Sequence, residues 1–434
     1  MNPNDTFDRA LSDWLRQDSE HRVPDHLEAV LVRTIATRQR RWWSSLRRRL
    51  PIDVTLPPAP LSRSGSWRPI LVLAAVVLLV AALLLLAVGS RRHLPAPYGL
   101  ARNGVVVAAI GGELFRVDPA TGDKTPLVGD PPAVGVFGPM FSRDGTRLLY
   151  LHGVKGNKAE IVVANPDGSG AKVVSPAVDG LDQVDWSPDG ARIVFLSRVL
   201  DRGLINVVSA DGTGLRTFDK LPVPANQVSW LPPDGSAILF RGEHQVDADP
   251  PPGIYTVRPD GTGLHEISTR PAANDYDIND VSAAPDGTTI LYRESPAVGG
   301  FAIHVLDLRT GRDRVLPSPV TAAGQTSAGF SPDGVHVAYL RLSFGFNSRL
   351  LFQLVVAPVD GSTVGTELPL VGVLGDDGPT INNGFFTPDG SAVIANELAT
   401  RTEWLLPIDG SAGTVIARGT AAYDGLTTVQ RLAP

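Results

Sequence analysis

A turn centred on Asp-Gly recurs six times in this 434-residue chain and constrains its fold more than any other feature. Successive glycines of the turn lie 45, 45, 52, 47 and 56 residues apart. The six copies are Asp144-Gly145, Asp189-Gly190, Asp234-Gly235, Asp286-Gly287, Asp333-Gly334 and Asp389-Gly390. Proline before the aspartate fixes φ, and glycine takes the left-handed conformation that a bulged hairpin needs, so each copy joins two antiparallel strands. A period of about 40–50 residues with several strands indicates a β-propeller.

Strand counting predicts seven blades. Seven strands of the kind that follows the turn can be assigned, beginning with Val105 to Val107, and each has a partner strand that ends in a second turn. Only six strands precede the Asp-Gly turns. Pairing of Thr427 to Leu432 with Val105 to Ile110 would supply the seventh and hide the edges of an open ring. Six blades, with the first segment as an appendage, is the alternative.

The best copies of the turn read Trp186-Ser-Pro-Asp-Gly190 and Phe330-Ser-Pro-Asp-Gly334, each followed by an apolar strand. This pattern resembles the TolB-type, WD40-like propeller repeat known as PD40. The departures are Arg143 in place of proline, Ala283 in place of the aromatic residue and Leu231 as an extra residue. The resemblance covers about residues 103–432. It implies a scaffold that presents a protein- or ligand-binding surface, and it transfers no catalytic residues.

An unbroken apolar segment runs from Ile70 to Val88 and contains only Ile, Leu, Val and Ala. Its nineteen residues would form a helix about 28 Å long, enough to cross a lipid bilayer. The segment predicts an uncleaved transmembrane helix at residues 69–89, because a cleaved signal peptide would have a shorter leader and core. Eight arginines from Arg38 to Arg68 precede it, so the positive-inside rule places the N terminus in the cytoplasm and residues 103–434 outside the cell membrane.

Residues 1–50 predict a small helical, basic cytoplasmic head. Apolar residues at helical spacing follow capping residues at two places, and arginines dominate the second half of the second helix. A basic amphipathic helix of this kind suits a partner protein or a membrane surface, although a solvated juxtamembrane stretch is equally compatible. The candidate partner-binding residues are Leu27, Leu31, Ile35, Trp42 and Trp43. Residues 51–68, rich in Pro and Ser, and residues 90–102 are linkers.

The layout of a short helical head, one membrane span and an external propeller resembles that of bacterial transmembrane anti-sigma regulators. The resemblance implies that the head binds a sigma factor. Many such heads carry a His/Cys zinc motif, whereas here His21 and His26 stand in a chain without cysteine. A sigma factor would therefore be bound through helix packing, and the two histidines are read as surface residues.

Charge is distributed unevenly along the chain. Residues 1–68 carry 12 basic and 8 acidic residues, whereas residues 91–434 carry 27 basic and 37 acidic residues. An acidic external domain argues against nucleic-acid binding, which requires a positive face. The absence of cysteine excludes disulfides, thiolate metal sites and a cysteine nucleophile.

No catalytic motif is present in the sequence. The Gly-x-Ser-x-Gly pentapeptide and the glycine-rich phosphate loops are missing, and the histidines fall at dissimilar positions in the blades. Two acidic clusters, Asp247 with Asp249 and Asp275 to Asp280, suggest Ca²⁺ ligands, but solvated loop acids are the simpler interpretation. We therefore expect no cofactor, no metal and no enzymatic activity, with a site in the propeller channel as the enzyme alternative.

Long loops are the best candidates for a recognition face. They are Arg241 to Gly253 and Leu342 to Arg349, the second with two aromatic residues, Phe344 and Phe346. The sequence thus predicts a membrane-anchored propeller that binds a protein or cell-envelope ligand, with anti-sigma regulation as the most specific form. A TolB-type scaffold whose head is only a topogenic signal is the alternative.

Overall fold

The structure is a computed structural model that describes residues 97–127, 135–181, 183–200, 202–242, 253–268, 277–295, 300–319, 322–344, 350–369, 381–397, 401–418 and 426–433. All of its regular secondary structure within these ranges is β-strand. No helix in the described part of the chain is long and apolar enough to cross a membrane. The predicted head, linkers and span up to residue 96 lie outside the described residues.

The strands form seven antiparallel sheets, the blades of a propeller. Blade 1 contains β1 (Arg102–Ile110), β2 (Glu113–Val117), β3 (Lys124–Pro126) and, from the far end of the chain, β29 (Leu426–Leu432). Blade 2 contains β4 (Val136–Phe141), β5 (Leu148–Val154), β6 (Lys158–Ala164) and β7 (Lys172–Val173), with β8 (Val178–Asp179) also paired to β6. Blade 3 contains β9 (Val184–Trp186), β10 (Arg192–Val199), β11 (Arg202–Ser209) and β12 (Arg216–Thr217).

The remaining four blades follow in chain order. Blade 4 contains β13 (Ala225–Trp230), β14 (Ile238–Gly242), β15 (Ile254–Val257) and β16 (His265–Ser268). Blade 5 contains β17 (Asp277–Ala283), β18 (Thr289–Ser295), β19 (Ala302–Asp307) and β20 (Asp313–Val315). Blade 6 contains β21 (Ala322–Phe330), β22 (His336–Phe344), β23 (Leu350–Pro358) and β24 (Thr366–Glu367). Blade 7 contains β25 (Ile381–Phe386), β26 (Ala392–Glu397), β27 (Thr402–Pro407) and β28 (Thr414–Arg418).

Ring closure joins the two ends of the described chain. β29 pairs with β1, with Val429 opposite Val106 and Thr427 opposite Ala108. The prediction of seven blades, the last built from one C-terminal and three N-terminal strands, is confirmed, and the six-blade alternative is wrong. β29 thereby covers the inner edge of β1, whose backbone N–H and C=O groups an open ring would leave unpaired.

The Asp-Gly turns owe their shape to a local hydrogen-bond network. In the copy of blade 3, the Ser187 hydroxyl donates to Asp189 Oδ1 at 2.5 Å, and the same carboxylate accepts the backbone N–H of Ala191 at 3.0 Å. Burial acts to raise the pKa of Asp189, but these hydrogen bonds outweigh it and lower the pKa. Gly190 takes φ of 65°, as the bulged hairpin requires.

The hydrophobic core lies between neighbouring blades. One cluster joins Val194 and Ile205 of blade 3 to Trp230 and Phe240 of blade 4, and similar clusters occupy other interfaces around the ring. Trp230, an aromatic residue that precedes a turn, is 1% exposed. The aromatic positions noted in the sequence therefore serve blade packing.

The structure places the described residues of the second acidic cluster in a strand and not in the predicted loop. Asp277, Asn279 and Asp280 were expected in a loop, but they belong to β17, the first strand of blade 5. Asp247, Asp249 and Asp275 lie outside the described residues. A strand offers no loop that curls around a cation, so the described part of this cluster does not have the form expected of a calcium loop.

Candidate ligand-binding channel

The innermost strand of each blade lines a central channel; it is β29 in blade 1 and the first strand along the chain in the other blades. We call the end that carries the Asp-Gly turns the turn face, and the other end the opposite face. The turn-face end encloses a cavity of about 400 Å³. Four prolines of the turns surround it, namely Pro232, Pro285, Pro332 and Pro388. The residues that shape the repeated turns therefore also shape one mouth of the channel.

Residues 97–101 lie across this mouth. The backbone N–H of Gly99 donates to the Pro332 carbonyl at 3.0 Å, and that of Ala101 donates to the Pro388 carbonyl at 2.9 Å. The Arg431 guanidinium donates to the carbonyl oxygens of Tyr98 and Gly99 at 3.0 and 2.6 Å. The segment thus contacts blades 1, 6 and 7 before the chain enters β1.

Tyr98 points its ring into the channel and is 8% exposed. The Arg143 guanidinium lies 5.8 Å from the ring centroid. Burial raises the pKa of Tyr98 to about 12, with Arg143 acting against the shift, so the hydroxyl stays protonated at neutral pH. That hydroxyl has no hydrogen-bond partner among the described residues.

A charge pair between the partly exposed Arg143 and the buried Asp185 joins three blades beside Tyr98. Arg143 Nη2 in the turn of blade 2 lies 3.2 Å from Asp185 Oδ1 in β9, and Asp185 Oδ2 accepts the backbone N–H of Trp230 in β13 at 2.9 Å. Burial raises the pKa of Asp185, although Arg143 and the backbone N–H groups oppose the shift. Arg143, which departs from the proline of the repeat, therefore has a structural partner that the sequence pattern did not reveal.

The larger cavity, about 1090 Å³, reaches the opposite face between blades 2 and 3. It lies beside β9, which has three residues, whereas the innermost strands of the other blades have six to nine. The connection before β9, including Gly180 and Gln183, and the hairpin from Val154 to Lys158 line its outer part. A short inner strand leaves space that a longer one would fill.

The lining of this large cavity is partly apolar and partly cationic. Phe137, Met140 and Phe385 contribute apolar surface, and Phe385 is 40% exposed. The charged lining residues are Arg143, Lys155, Lys158 and Asp185. Three cations against one acid contrast with the acidic balance of residues 91–434. The cavity can therefore accept a ligand with apolar groups and negative charge.

Glu403 in β27 lies behind the cavity wall and is 1% exposed. Burial raises its pKa to about 8, against hydrogen bonds from the Asn396 side chain and the Thr427 backbone N–H. Glu403 Oε2 and Thr427 Oγ1 have no partner among the described residues, and Thr427 lines the cavity. Blade 7 is thereby joined to the closing strand β29 by an acid that is neutral at pH 7.

His304 lies between two acidic residues of blade 5. His304 Nε2 lies 2.8 Å from Glu294 Oε2, and its Nδ1 lies 3.1 Å from Asp313 Oδ2, which also accepts the Tyr292 hydroxyl at 2.6 Å. Each ring nitrogen of His304 thus contacts a carboxylate, and none of these residues lines either cavity. The cluster lies within blade 5 and leaves no ring nitrogen for a substrate or a metal ion.

The described structure does not test the predicted recognition residues. Leu27, Leu31, Ile35, Trp42, Trp43 and Phe346 lie outside the described residues, and for Phe344 only its place at the end of β22 is described. The loop from Arg241 is described only at its ends. The large cavity was not predicted from the sequence. The sequence feature that indicates a short strand there is the short distance from Gly180, a turn residue, to Trp186 at the next turn.

Comparison with known proteins agrees with this geometry. The family described as TolB beta propeller domain, PD40, matches residues 130–362, more than half of the chain. The chain belongs to the PD40 family. No curated protein sequence matches it significantly.

Solved structures show the same PD40-like fold at low sequence identity. A prolyl endopeptidase structure has a TM-score of 0.53 at 13% identity over 75% of this chain and 49% of that one. An oligogalacturonate lyase from Vibrio parahaemolyticus has a TM-score of 0.50 at 15% identity over 74% and 90%. TolB from Acinetobacter baumannii has a TM-score of 0.43 at 16% identity, and the chain covers 62% of its length. At these identities the likeness concerns the fold alone.

Proposed function

We propose that this PD40 protein is a single-pass membrane protein whose extracytoplasmic propeller binds a protein or cell-envelope ligand at the opposite face. The observation that carries the proposal is the asymmetry of the channel. Residues 97–101 lie across the turn-face mouth, while the opposite face opens into about 1090 Å³ of partly apolar, cationic space. A concave, mostly apolar space with a few polar groups is the usual form of a binding site.

Membrane anchoring rests on the apolar run from Ile70 to Val88 and on the arginines that precede it. The absence of cysteine makes a direct test simple, since one introduced cysteine is the only thiol. In spheroplasts, a membrane-impermeant maleimide should label Val315→Cys, at a position 51% exposed in blade 5, without lysis. It should label Ser44→Cys in the head only after lysis. The reverse pattern would refute the topology.

Ligand binding at the opposite face is tested by photo-crosslinking in cells. A benzophenone amino acid at Gln183 in the cavity lining should give a discrete adduct. The same group at Val364, which is 44% exposed in blade 6 and outside both cavities, is the matched control. Equal adducts from both positions, or none from Gln183, would argue against a site in this cavity.

The most specific form of the proposal is an anti-sigma regulator, whose head binds a sigma factor through helix packing. Its support is the layout of the sequence and the candidate residues Leu27, Leu31 and Ile35. Purification of the tagged full-length protein should recover a sigma factor, and changing these three residues to Asp should abolish recovery. If recovery fails while the Gln183 adduct persists, the second candidate, a TolB-type scaffold whose head is only a topogenic signal, becomes the better one.

An enzymatic role has less support. Among the described residues, the acid-histidine group around His304 lies within blade 5 and lines neither cavity. General acid–base catalysis needs the titratable group within hydrogen-bond reach of the substrate. The enzymes with similar folds match in architecture, so they add nothing about chemistry here.

A further inference from the structure

We infer that the rim of the large cavity, at the ends of blades 2 and 3, docks an acidic segment of a partner polypeptide whose apolar side chains pack against Leu200. The inference rests on the proposed function, because it names the ligand class of the opposite-face cavity. The rim consists of the hairpin of blade 2 around Lys155 and Lys158 and the hairpin of blade 3 around Val199 and Leu200. Its evidence comes from backbone conformation, exposure and charge.

Leu200 combines two unfavourable features. Its side chain is 96% exposed, and its φ of 50° lies in the left-handed region that bulky residues avoid. Val199 pairs with Arg202, so Leu200 begins a two-residue connection where asparagine or glycine is the usual choice. Val199 is itself 54% exposed. Backbone strain and apolar exposure at one hairpin tip point to a functional contact that covers the side chain.

The Leu200 hairpin stands beside the cavity. A Cβ atom built on Gly180, which lines the cavity, would lie 2.7 Å from Cγ of Arg198. Arg198 is in β10, two residues before Leu200. The end of β10 that leads into the exposed tip therefore lies beside the cavity lining at Gly180, so the tip stands next to this part of the cavity.

The blade 2 hairpin supplies positive charge on the same rim. Lys155 and Lys158 are exposed and line the cavity. Lys158 has a neighbour in Asp179 at 3.6 Å, but both side chains are about half exposed, and such pairs are weak. Along the two hairpins and the connection before β9, the sequence has four basic residues, Lys155, Lys158, Arg198 and Arg202, against three acidic ones, Asp179, Asp182 and Asp201. Because residues 91–434 are acidic overall, this local excess of positive charge attracts an acidic partner and repels a basic one.

The shape of the rim favours a polypeptide over a lipid surface. A flat membrane would touch the tips at Leu200 and Lys155 but leave a cavity of about 1090 Å³ unfilled. An extended acidic segment can place apolar side chains against Leu200 and Phe385 and carboxylates near the lysines. The described residues that line the cavity thus match one class of ligand in both shape and charge.

The test uses the full-length protein in detergent micelles and two pools of 12-residue peptides with identical Leu and Phe content. One pool has a net charge of about −4 and the other about +4, a range over which electrostatic complementarity discriminates strongly. We expect acidic peptides to be selected, and to bind at least about tenfold more tightly than their basic counterparts, with weakening as salt rises. Equal binding of the two pools would overturn the inference.

Variants of the rim test whether Leu200 and the two lysines bind the selected peptide. Leu200→Asn should weaken binding of the selected peptide at least about fivefold and raise the melting temperature, because asparagine tolerates the left-handed conformation. Lys155→Glu with Lys158→Glu should abolish selection of acidic peptides. Val335→Ser, at a residue 54% exposed in a turn on the turn face, is the control and should change nothing.

Two further outcomes are decisive. If Gln183→Trp abolishes peptide binding while Leu200→Asn and the lysine variants do not, the cavity binds a ligand but the inferred docking on the rim is wrong. If phosphatidylglycerol vesicles bind in a Leu200-dependent manner and acidic peptides do not, the rim is a membrane contact and the inference fails. Failure of the Gln183 crosslink in cells, by contrast, would remove the proposed function itself.

Discussion

Asp185 accepts a hydrogen bond from the backbone N–H of Trp230 at 2.9 Å, which joins the first strands of blades 3 and 4. The other carboxylate oxygen pairs with Arg143 of blade 2 at 3.2 Å. One acid therefore ties three consecutive blades together on the inner side of the ring.

Asp185→Ala should lower the free energy of unfolding by about 1–3 kcal/mol, because it leaves the buried backbone N–H of Trp230 without its acceptor and removes the ion pair of the partly exposed Arg143. The measurement is urea unfolding followed by tryptophan fluorescence. Asp179→Ala, which removes an exposed partner of Lys158, should cost less than about 1 kcal/mol. Similar losses for the two variants would show that the Asp185 bridge adds nothing to stability.

Gly145→Ala should prevent stable ring closure. A Cβ atom at Gly145 would lie 1.9 Å from the Arg431 carbonyl oxygen in β29. Gly122 has nearly the same φ, 75° against 72°, but nothing lies within 4 Å of its Cβ position. Gly122→Ala should therefore cost only the conformational strain, about 1–2 kcal/mol. Limited proteolysis and the melting temperature measure the difference between the two variants. Equal destabilisation by both would show that backbone strain, and not the contact with Arg431, accounts for the loss of stability at Gly145.

Stability should fall as pH rises from about 5 to 8. The folded pKa of Glu403 is raised to about 8 from an ordinary value of 4.5, so the folded protein retains a proton that the unfolded chain has lost. Over this interval the free energy of unfolding falls by up to about 1.4 kcal/mol per pH unit. Glu403→Gln should flatten this part of the profile and be more stable than the natural protein at pH 8. Parallel profiles would exclude Glu403 as the cause.

Tyr98→Phe should leave stability unchanged or slightly raised, because the buried hydroxyl has no partner among the described residues. Tyr98→Ala should release residues 97–101 from the turn face, since the ring is their main buried group. Hydrogen exchange gives the measurement: the amides of Gly99 and Ala101, bonded to the prolines of two turns, should lose protection in the Ala variant only. Loss of protection in both variants would show that the Tyr98 hydroxyl itself makes a contact that residues 97–101 need.

The repeated turn and the ring closure were predictable because their causes are local or periodic. Pro, Asp and Gly restrict the backbone wherever they occur in this order, and counting strands leaves one place for the C-terminal strand. The expected pairing of Thr427 to Leu432 differs from the observed β29, Leu426–Leu432, by one residue. The expectation that Asp277, Asn279 and Asp280 lie in a loop was wrong, because these residues form part of β17, the innermost strand of blade 5.

The sequence by itself determined a propeller built from PD40-like repeats, because spacing and turn chemistry are written in consecutive residues. It favoured seven blades closed by the C-terminal strand over six, and the strand pairing in the structure decided for seven. Only the tertiary structure decided that Tyr98 lies across one mouth of the channel and that a short β9 opens a cavity at the other. Those features depend on contacts between residues far apart in the chain, such as Tyr98 with Arg431. The short distance from Gly180 to Trp186 in the sequence indicates a short strand, but whether the space beside that strand stays open as a cavity depends on how distant residues pack.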